Sequence, residues 1–197
     1  MKIKISEIVA VDVETTGLDP EKDRICEIAL LQIKNWRIVD KFTTLINPEI
    51  KIPPYISSLS GITDTDVKEA PLFKEIVDKI HKIIKGNTLL FHNASFDIGF
   101  LKKEFERCGI EFPEVKIIDT YLIAKNFFNF RSNSLSYISR YFKLERVFQH
   151  RAEDDAKAAF KIFELFCKKI DKKYSFTYKN LADLYFYRHF KNKFFQK

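Results

Sequence analysis

Four carboxylates in this chain each interrupt an apolar pattern, and one histidine precedes the last of them. Asp12 and Glu14 fall inside "IVAVDVETTG". In an extended segment side chains alternate between faces, so Val9, Val11 and Val13 share one face while Ala10, Asp12 and Glu14 share the other. Two carboxylates on one strand face lie roughly 7 Å apart. Buried there without a compensating charge they would repel each other and be poorly solvated. Asp155 falls on one helical stripe with Ala159, Ile162, Phe163 and Phe166, so it points toward the core. Glu153, Lys157, Lys161 and Glu164 take the wet face, and Asp154 lies between the two. An inward carboxylate again needs a compensating charge. Asp97 stands at the start of a helix, where the macrodipole alone would favour an acid. His150 sits in the loop before the last helix, free to approach the same site; taken alone it reads equally as a surface histidine. Together, Asp12, Glu14, Asp97 and Asp155 supply hard oxygen ligands of the kind Mg²⁺ or Mn²⁺ takes. Such a set can hold two cations about 4 Å apart, the geometry that clamps the attacking and leaving oxygens of a phosphodiester. Zinc fits less well, because no His/Cys cluster occurs.

The elements that must position these residues are legible in outline. Residues 7–14, 24–34 ("RICEIALLQIK") and 37–46 ("RIVDKFTTLI") read as strands. Asn35–Trp36 is a tight hairpin link, and "TTGLDPEKD" a short turn-rich one, so the three strands form an antiparallel meander. Residues 47–71 read as a long irregular stretch with short turns of its own, a kind of loop that is often functional. From Leu72 the period changes: Phe73, Ile76, Ile80, Ile83 and Ile84 recur at helical spacing, and Gly86 is a stop. "TLLFH" and "EVKIID" are short strands, each followed by a helix, one from near Ser95 to Gly109 and one near residues 120–126. Helix, strand, helix, strand in this order implies right-handed parallel crossovers. "SLSYISRYF" and residues 152–170 are further helices. The expected fold class is α/β: a mixed sheet of about five strands, three in an antiparallel meander and the rest parallel, flanked by helices.

Composition narrows the class. The 197 residues fit one domain, and 46% hydrophobic against 31% charged residues describes a globular protein. No run approaches a membrane span, and the N-terminus reaches an acid before a signal-peptide core is complete, so a cytoplasmic protein with no membrane partner is expected. Cys26, Cys108 and Cys167 are scattered without metal-ligand spacing and read as reduced core residues. A net charge of +7 permits a polyanionic partner. Neither glycine-rich phosphate-binding pattern is present among the 5 glycines.

The motifs resemble those of the DEDDh 3′→5′ exonucleases, the DnaQ-like group that contains the proofreading ε-subunits and PolC-type exonucleases of bacterial DNA polymerase III. "VDVETTGLDP" resembles the first motif, "LLFHNASFDIGFL" the second, and "HRAEDDAKAA" the third, with His150 and Asp155 in the H-x-x-x-x-D spacing. "LINPEIKIPPYISSLSGIT" and "IIDTYLIAK" look like the segments between them, and the likeness runs in order from about Ile8 to Ile170. The resemblance implies a ribonuclease-H-like sheet and 3′→5′ release of nucleoside 5′-monophosphates from a nucleic-acid end by two metal ions, Mg²⁺ or Mn²⁺. It implies that Asp12 bridges both metals, that Glu14 and Asp155 complete one metal site, and that Asp97 serves the other. His150 would be the general base. Thr15, Thr16 and Leu18 would support the last sugar and base, Phe96 would pack on the terminal nucleotides, and Asn93 would brace the second motif. Ser60 stands where some ε-subunits have histidine. Structural readings stand beside these: a turn in which Gly17 supplies a permissive backbone, and a core phenylalanine.

Residues 1–172 are thus expected to form the exonuclease domain. Residues 173–197 are expected to form an aromatic and basic helical extension packed on it, with Phe186, Phe190 and Phe194 in one stripe; the same composition could stack on single-stranded nucleic acid. The expected substrate is a single-stranded or frayed DNA 3′ end, in replication or repair, with a DNA polymerase as partner in trans. An exoribonuclease trimming short RNA is the alternative, since the sugar contacts that discriminate are not visible in sequence. Two readings from other classes remain. "DVETT" loosely resembles the nucleophile motif of haloacid-dehalogenase-type phosphatases, with Asp12 attacking phosphate. A non-catalytic nucleic-acid-binding module would be marked by loss of a metal ligand.

Overall fold

The structure is a computed structural model that describes residues 8–144 and 150–174. Strand β1 (Ile8–Thr15) pairs antiparallel with β2 (Ile25–Lys34), and β2 with β3 (Arg37–Leu45). The hairpin between β2 and β3 turns on Asn35 and Trp36, both at positive φ (50° and 62°), the backbone a tight two-residue hairpin requires. The stretch after β3 is more regular than its sequence suggests. It holds two short helices, α1 (Pro54–Ser60) and α2 (Asp64–Val67). Pro at the first turn starts α1 and Gly61 at φ 72° ends it, while Thr63 and Asp66 close a capping box around α2.

Helix α3 (Phe73–Ile84) leads into β4 (Thr88–Phe91), which lies parallel to β1. Helix α4 (Ala94–Arg107) then leads into β5 (Lys116–Asp119), parallel to β4. Helices α5 (Thr120–Phe127), α6 (Leu135–Tyr141) and α7 (Ala152–Tyr174) complete the described chain. The five strands run in the order β3-β2-β1-β4-β5, so the meander and parallel crossovers expected from the sequence are both present. Residues 175–197, which hold most of the expected C-terminal extension and its phenylalanine stripe, lie outside the described residues.

Strand alternation divides the core as the valines of β1 predict. Val9, Val11 and Val13 join α3 and α4 in one layer; Ile8 and Ala10 join α5, α6 and α7 in the other. On α3 the fully buried face is Phe73, Val77, Ile80 and Ile84, with Ile76 and Ile83 only partly covered. Ile162, Phe163 and Phe166 on α7 are at most 1% exposed. Burial of such side chains is worth about 1.5–3 kcal/mol each, enough to seat α7 on the sheet. Asp12 and Glu14 lie on the Ala10 side by strand parity, the side α7 covers. Chain order reverses between β2 and β4, on either side of β1, and β1 runs past its pairing with β4, which ends at Ala10–Leu90. A crevice at the carboxyl end of a strand beside such a switch point is where ligands enter open α/β sheets. No helix among the described residues is long and apolar enough to cross a membrane. Cys26 and Cys167 are buried and Cys108 partly so, with no disulfide among the described residues.

Candidate active site

A cleft of about 220 Å³ opens at the end of β1, and Asp12, Glu14, Asp97, His150 and Asp155 all line it. They arrive from three directions. Asp12 and Glu14 come from the part of β1 that β4 leaves uncovered. Asp97 comes from the first turn of α4, across the other face of the sheet. Asp155 comes from the first turn of α7, with His150 just ahead of it. Glu14, His150 and Asp155 bring ligand atoms within 4.8 Å of one another. The helical stripe that assigned Asp155 inward is borne out, since its residue is 7% exposed. Glu153 sits on the wet face, paired with Lys157 and with Lys41 of β3, both at 2.7 Å.

Asp97 is more than a dipole acid. It is 5% exposed, and its Oδ1 accepts a hydrogen bond from the backbone N–H of Val13 at 3.2 Å. Burial pushes its carboxyl well above the ordinary carboxylate value; backbone hydrogen bonds oppose that and the charge of Asp119 adds to it. A cation placed in the cleft would restore the charged form.

Apart from Asn93, the supporting framework was not singled out by sequence reasoning. Asp119 accepts from the N–H groups of Asn93 and Ala94, each at 3.0 Å, and from those of Tyr121 and Leu122 at the start of α5. One carboxylate therefore ties the turn that launches α4, and Asp97 with it, to the start of α5. Asn93 holds a left-handed backbone (φ 76°), which asparagine tolerates. His92 lines the cleft with its Nδ1 2.8 Å from Thr120 Oγ1 and its Nε2 2.9 Å from the Asn133 carbonyl, so it braces the floor. Glu27 binds the residue between His150 and α7. Glu104, 1% exposed, receives Arg24 and Arg107; Arg107 also donates to the carbonyls of Pro20, Glu21 and Asp23, pinning the β1–β2 turn to α4. The available signals were local: Asp119 stands between a strand and a helix as an N-cap, and Glu27 interrupts "ICEIALL" much as Asp12 interrupts its own strand.

The expected substrate contacts separate into two groups. Thr15, Leu18, Ser60 and Phe96 line the cleft, and Thr16 does not. The register of β1 shifts between Glu14 and Thr15, and Thr16 turns inward, fully buried. Its hydroxyl accepts from Arg24 N–H at 3.0 Å and faces Asp23 Oδ1 at 3.4 Å. Thr16 thus builds the turn rather than the cleft wall. Ser60 Oγ donates to the Ile56 carbonyl and accepts from Ile62 N–H, which commits its hydroxyl to the end of α1. Thr15 Oγ1 donates to the Gly17 carbonyl at 2.6 Å. Leu18, 80% exposed, and Leu59, 54% exposed, stand at the rim, and Ile56 joins them in the lining. Gly17 is needed for space rather than for a positive φ: a methyl group there would collide with the Asp23 carboxylate, which folds under the turn to accept from Asp19 N–H.

Comparison with known proteins agrees with this architecture. The DNA polymerase III subunit epsilon of Treponema pallidum is 39% identical over 157 residues, 78% of this chain and 73% of the relative. The DNA polymerase III PolC-type protein of Caldanaerobacter subterraneus is 35% identical over 90% of this chain, and the 3′-5′ exonuclease DinG of Staphylococcus epidermidis 33% identical over 92%. The chain spans only 12% and 21% of the lengths of those two relatives. Among solved structures, E. coli Exonuclease I in complex with a dT13 oligonucleotide superposes with a TM-score of 0.76 at 17% identity, over 86% of this chain and 43% of that one. Exonuclease X in complex with 5′ overhanging duplex DNA superposes with a TM-score of 0.62 at 22% identity, over 90% and 98%. These likenesses establish the ribonuclease-H-like fold. The profile of the exonuclease family RNase_T matches residues 9–163, the span that carries the sheet, the cleft and all three motifs, and the chain belongs to that family.

Proposed function

We propose that this exonuclease domain hydrolyses the terminal phosphodiester at DNA 3′ ends, releasing nucleoside 5′-monophosphates from single-stranded or frayed termini. The observation that carries this reading is the convergence of Asp12, Glu14, Asp97, His150 and Asp155 on one cleft. Hard carboxylate oxygens are the donor set of Mg²⁺ or Mn²⁺. Asp97, buried and shifted toward its neutral form, is the group a divalent cation would return to its charged state. Asp12 would be shared by two cations, Glu14 and Asp155 completing one set and Asp97 the other. When bound, such cations lower the pKa of the attacking water and stabilise charge on the phosphoryl oxygens. His150 takes the proton from that water at a ring nitrogen. Thr15, Leu18 and Phe96 hold the terminal nucleotide, and Ile56 and Leu59 extend the apolar wall against its base. Ser60 contributes shape rather than a hydrogen bond. The net charge of +7 favours a polyanion.

Relatives named as a polymerase subunit and a PolC-type polymerase support a proofreading role beside a DNA polymerase; our reading makes that polymerase a partner in trans and the protein cytoplasmic. We read residues 1–172 as the catalytic unit and 173–197 as its extension. The phosphatase reading falls with the family assignment, because its nucleophile motif belongs to a different fold. A non-catalytic module would have lost a ligand, and here every expected ligand lines the cleft. One time course tests the proposal: DNA and RNA oligonucleotides labelled at the 5′ end, with Mg²⁺, Mn²⁺ or chelator, for wild type and Asp12→Ala. A ladder shortening from the 3′ end of DNA, absent with chelator or the variant, is expected. Faster RNA shortening would reassign the substrate, and cleavage in chelator would end the metal-dependent reading.

A further inference from the structure

We propose that Glu27 is a positioning residue for the cleft: through Arg151 it sets His150 and Asp155 against Glu14. The inference rests on the catalytic reading above. Glu27 stands in the most apolar part of β2 and is 2% exposed. A buried carboxylate is tolerated only if its oxygens are satisfied, and these are: Arg151 Nη2 donates at 2.7 Å, Arg151 Nε at 3.1 and 3.2 Å, and the Ala152 N–H at 2.9 Å. Ala152 is the first residue of α7, so Glu27 also takes up one of the N–H groups that a helix start leaves without an intrahelical partner.

Two adjacencies make this more than a helix anchor. Arg151 lies directly after His150, whose backbone is left-handed at φ 57°, a region that few non-glycine residues occupy and histidine more readily than most. The Arg151 carbonyl accepts from Asp155 N–H at 3.0 Å, so the first turn that aims Asp155 begins at the clamped residue. On the other side, Glu27 is the direct cross-strand partner of Glu14. The two carboxylates share a sheet face, and cross-strand neighbours on one face stand about 5 Å apart. The planar guanidinium, held in two places by Glu27, therefore fixes where α7 begins relative to the strand that carries Glu14. An apolar pair of similar volume would seat α7 at least as well, because buried ion pairs often add little stability over hydrophobic replacements. What an apolar pair would not supply is a directional lock on residues 150–155.

The test compares wild type with Glu27→Leu, Glu27→Gln and Arg151→Lys in three measurements: melting temperature, Mn²⁺ binding followed by electron paramagnetic resonance, and kcat and KM on a 3′-terminated DNA oligonucleotide. Outer-shell partners of this kind typically control activity or metal affinity by about 10–100-fold. Glu27→Leu is expected to lower kcat and Mn²⁺ affinity by that factor with KM for the oligonucleotide unchanged, and Glu27→Gln, which keeps the acceptor oxygen, to recover part of both. If Glu27→Leu does not fold, Glu27→Gln and Arg151→Lys carry the same comparison. Wild-type kcat and Mn²⁺ affinity in the folded variants would overturn the positioning role and leave the exonuclease reading intact. A wild-type protein that neither binds Mn²⁺ nor shortens the oligonucleotide would overturn the catalytic reading and this inference with it.

Discussion

The side chain of Asp97 accepts the backbone N–H of Val13, the residue between Asp12 and Glu14, at 3.2 Å. A single hydrogen bond thus registers a carboxylate on one face of the sheet against two on the other. It is possible because β1 extends beyond β4, whose pairing with it ends at Ala10.

Replacing Asp97 by Asn separates the two consequences of that contact. Asparagine keeps an acceptor for Val13 but carries no charge. Burial raises the Asp97 pKa in the folded state, so its favourable contribution is full below the ordinary carboxylate value of about 4 and is lost as pH rises through the raised one. Without metal, Asp97→Asn should therefore melt at or above the wild-type temperature at pH 8; with Mg²⁺, its exonuclease turnover should fall more than 10²-fold below wild type. Adding Mg²⁺ should raise the wild-type melting temperature, since ligands of the folded state stabilise it, and raise that of the variant by less, because only the cation held by Glu14 and Asp155 would remain. Thermal melts with chelator and with Mg²⁺ read both effects.

His150→Ala should reduce kcat by roughly 10²–10⁴-fold, the usual range for loss of a general base, with KM for the oligonucleotide nearly unchanged. Steady-state kinetics on single-stranded DNA make the distinction. A rise in KM at constant kcat would move His150 from proton transfer to substrate holding.

Gly17→Ala should act through Asp23. The added methyl group displaces a carboxylate that accepts from Asp19 N–H at 2.9 Å and faces Thr16 Oγ1, so the turn carrying Thr15 and Leu18 shifts. Loss of a satisfied turn acceptor costs about 1–3 kcal/mol. Urea unfolding should show that loss, and KM should rise more than kcat falls.

The fold and the chemistry were legible in the sequence to different depths. Period-two alternation in β1 located Asp12 and Glu14, and the helical stripe of α7 located Asp155, because each side chain interrupted a regular apolar pattern. Asp97 was ambiguous, since its second role depends on Val13, distant in sequence and adjacent only through the β1–β4 splay. Glu27, Asp119 and Glu104 were passed over. Each is satisfied by backbone N–H groups or arginines brought in by tertiary structure, and no local spacing pairs Glu27 with Arg151. The family resemblance implies a substrate contact for Thr16 along with Thr15 and Leu18; the register shift after Glu14 and the bond from Arg24 N–H to its hydroxyl bury it under the turn instead. The two short helices after β3 rest on capping and on Pro54, features that a search for apolar periodicity overlooks.

Glu153 offers a test of surface electrostatics away from the cleft. Its carboxylate sits 2.7 Å from both Lys157 and Lys41, and hydrogen bonds from the two lysines hold its pKa down to about 2. A depressed carboxylate pKa stabilises the folded state above the unfolded value, and that contribution fades as pH falls through the folded one. The group is partly exposed, so screening keeps the effect to about 0–1 kcal/mol. Glu153→Gln should therefore lower stability slightly at pH 7, by an amount that shrinks in 1 M salt and between pH 4.5 and pH 2. Urea midpoints across that range are the measurement. Because Lys41 lies on the edge strand and Glu153 in the first turn of α7, a loss well above 1 kcal/mol would mean that this pair, and not the apolar stripe beneath it, seats the helix on the sheet.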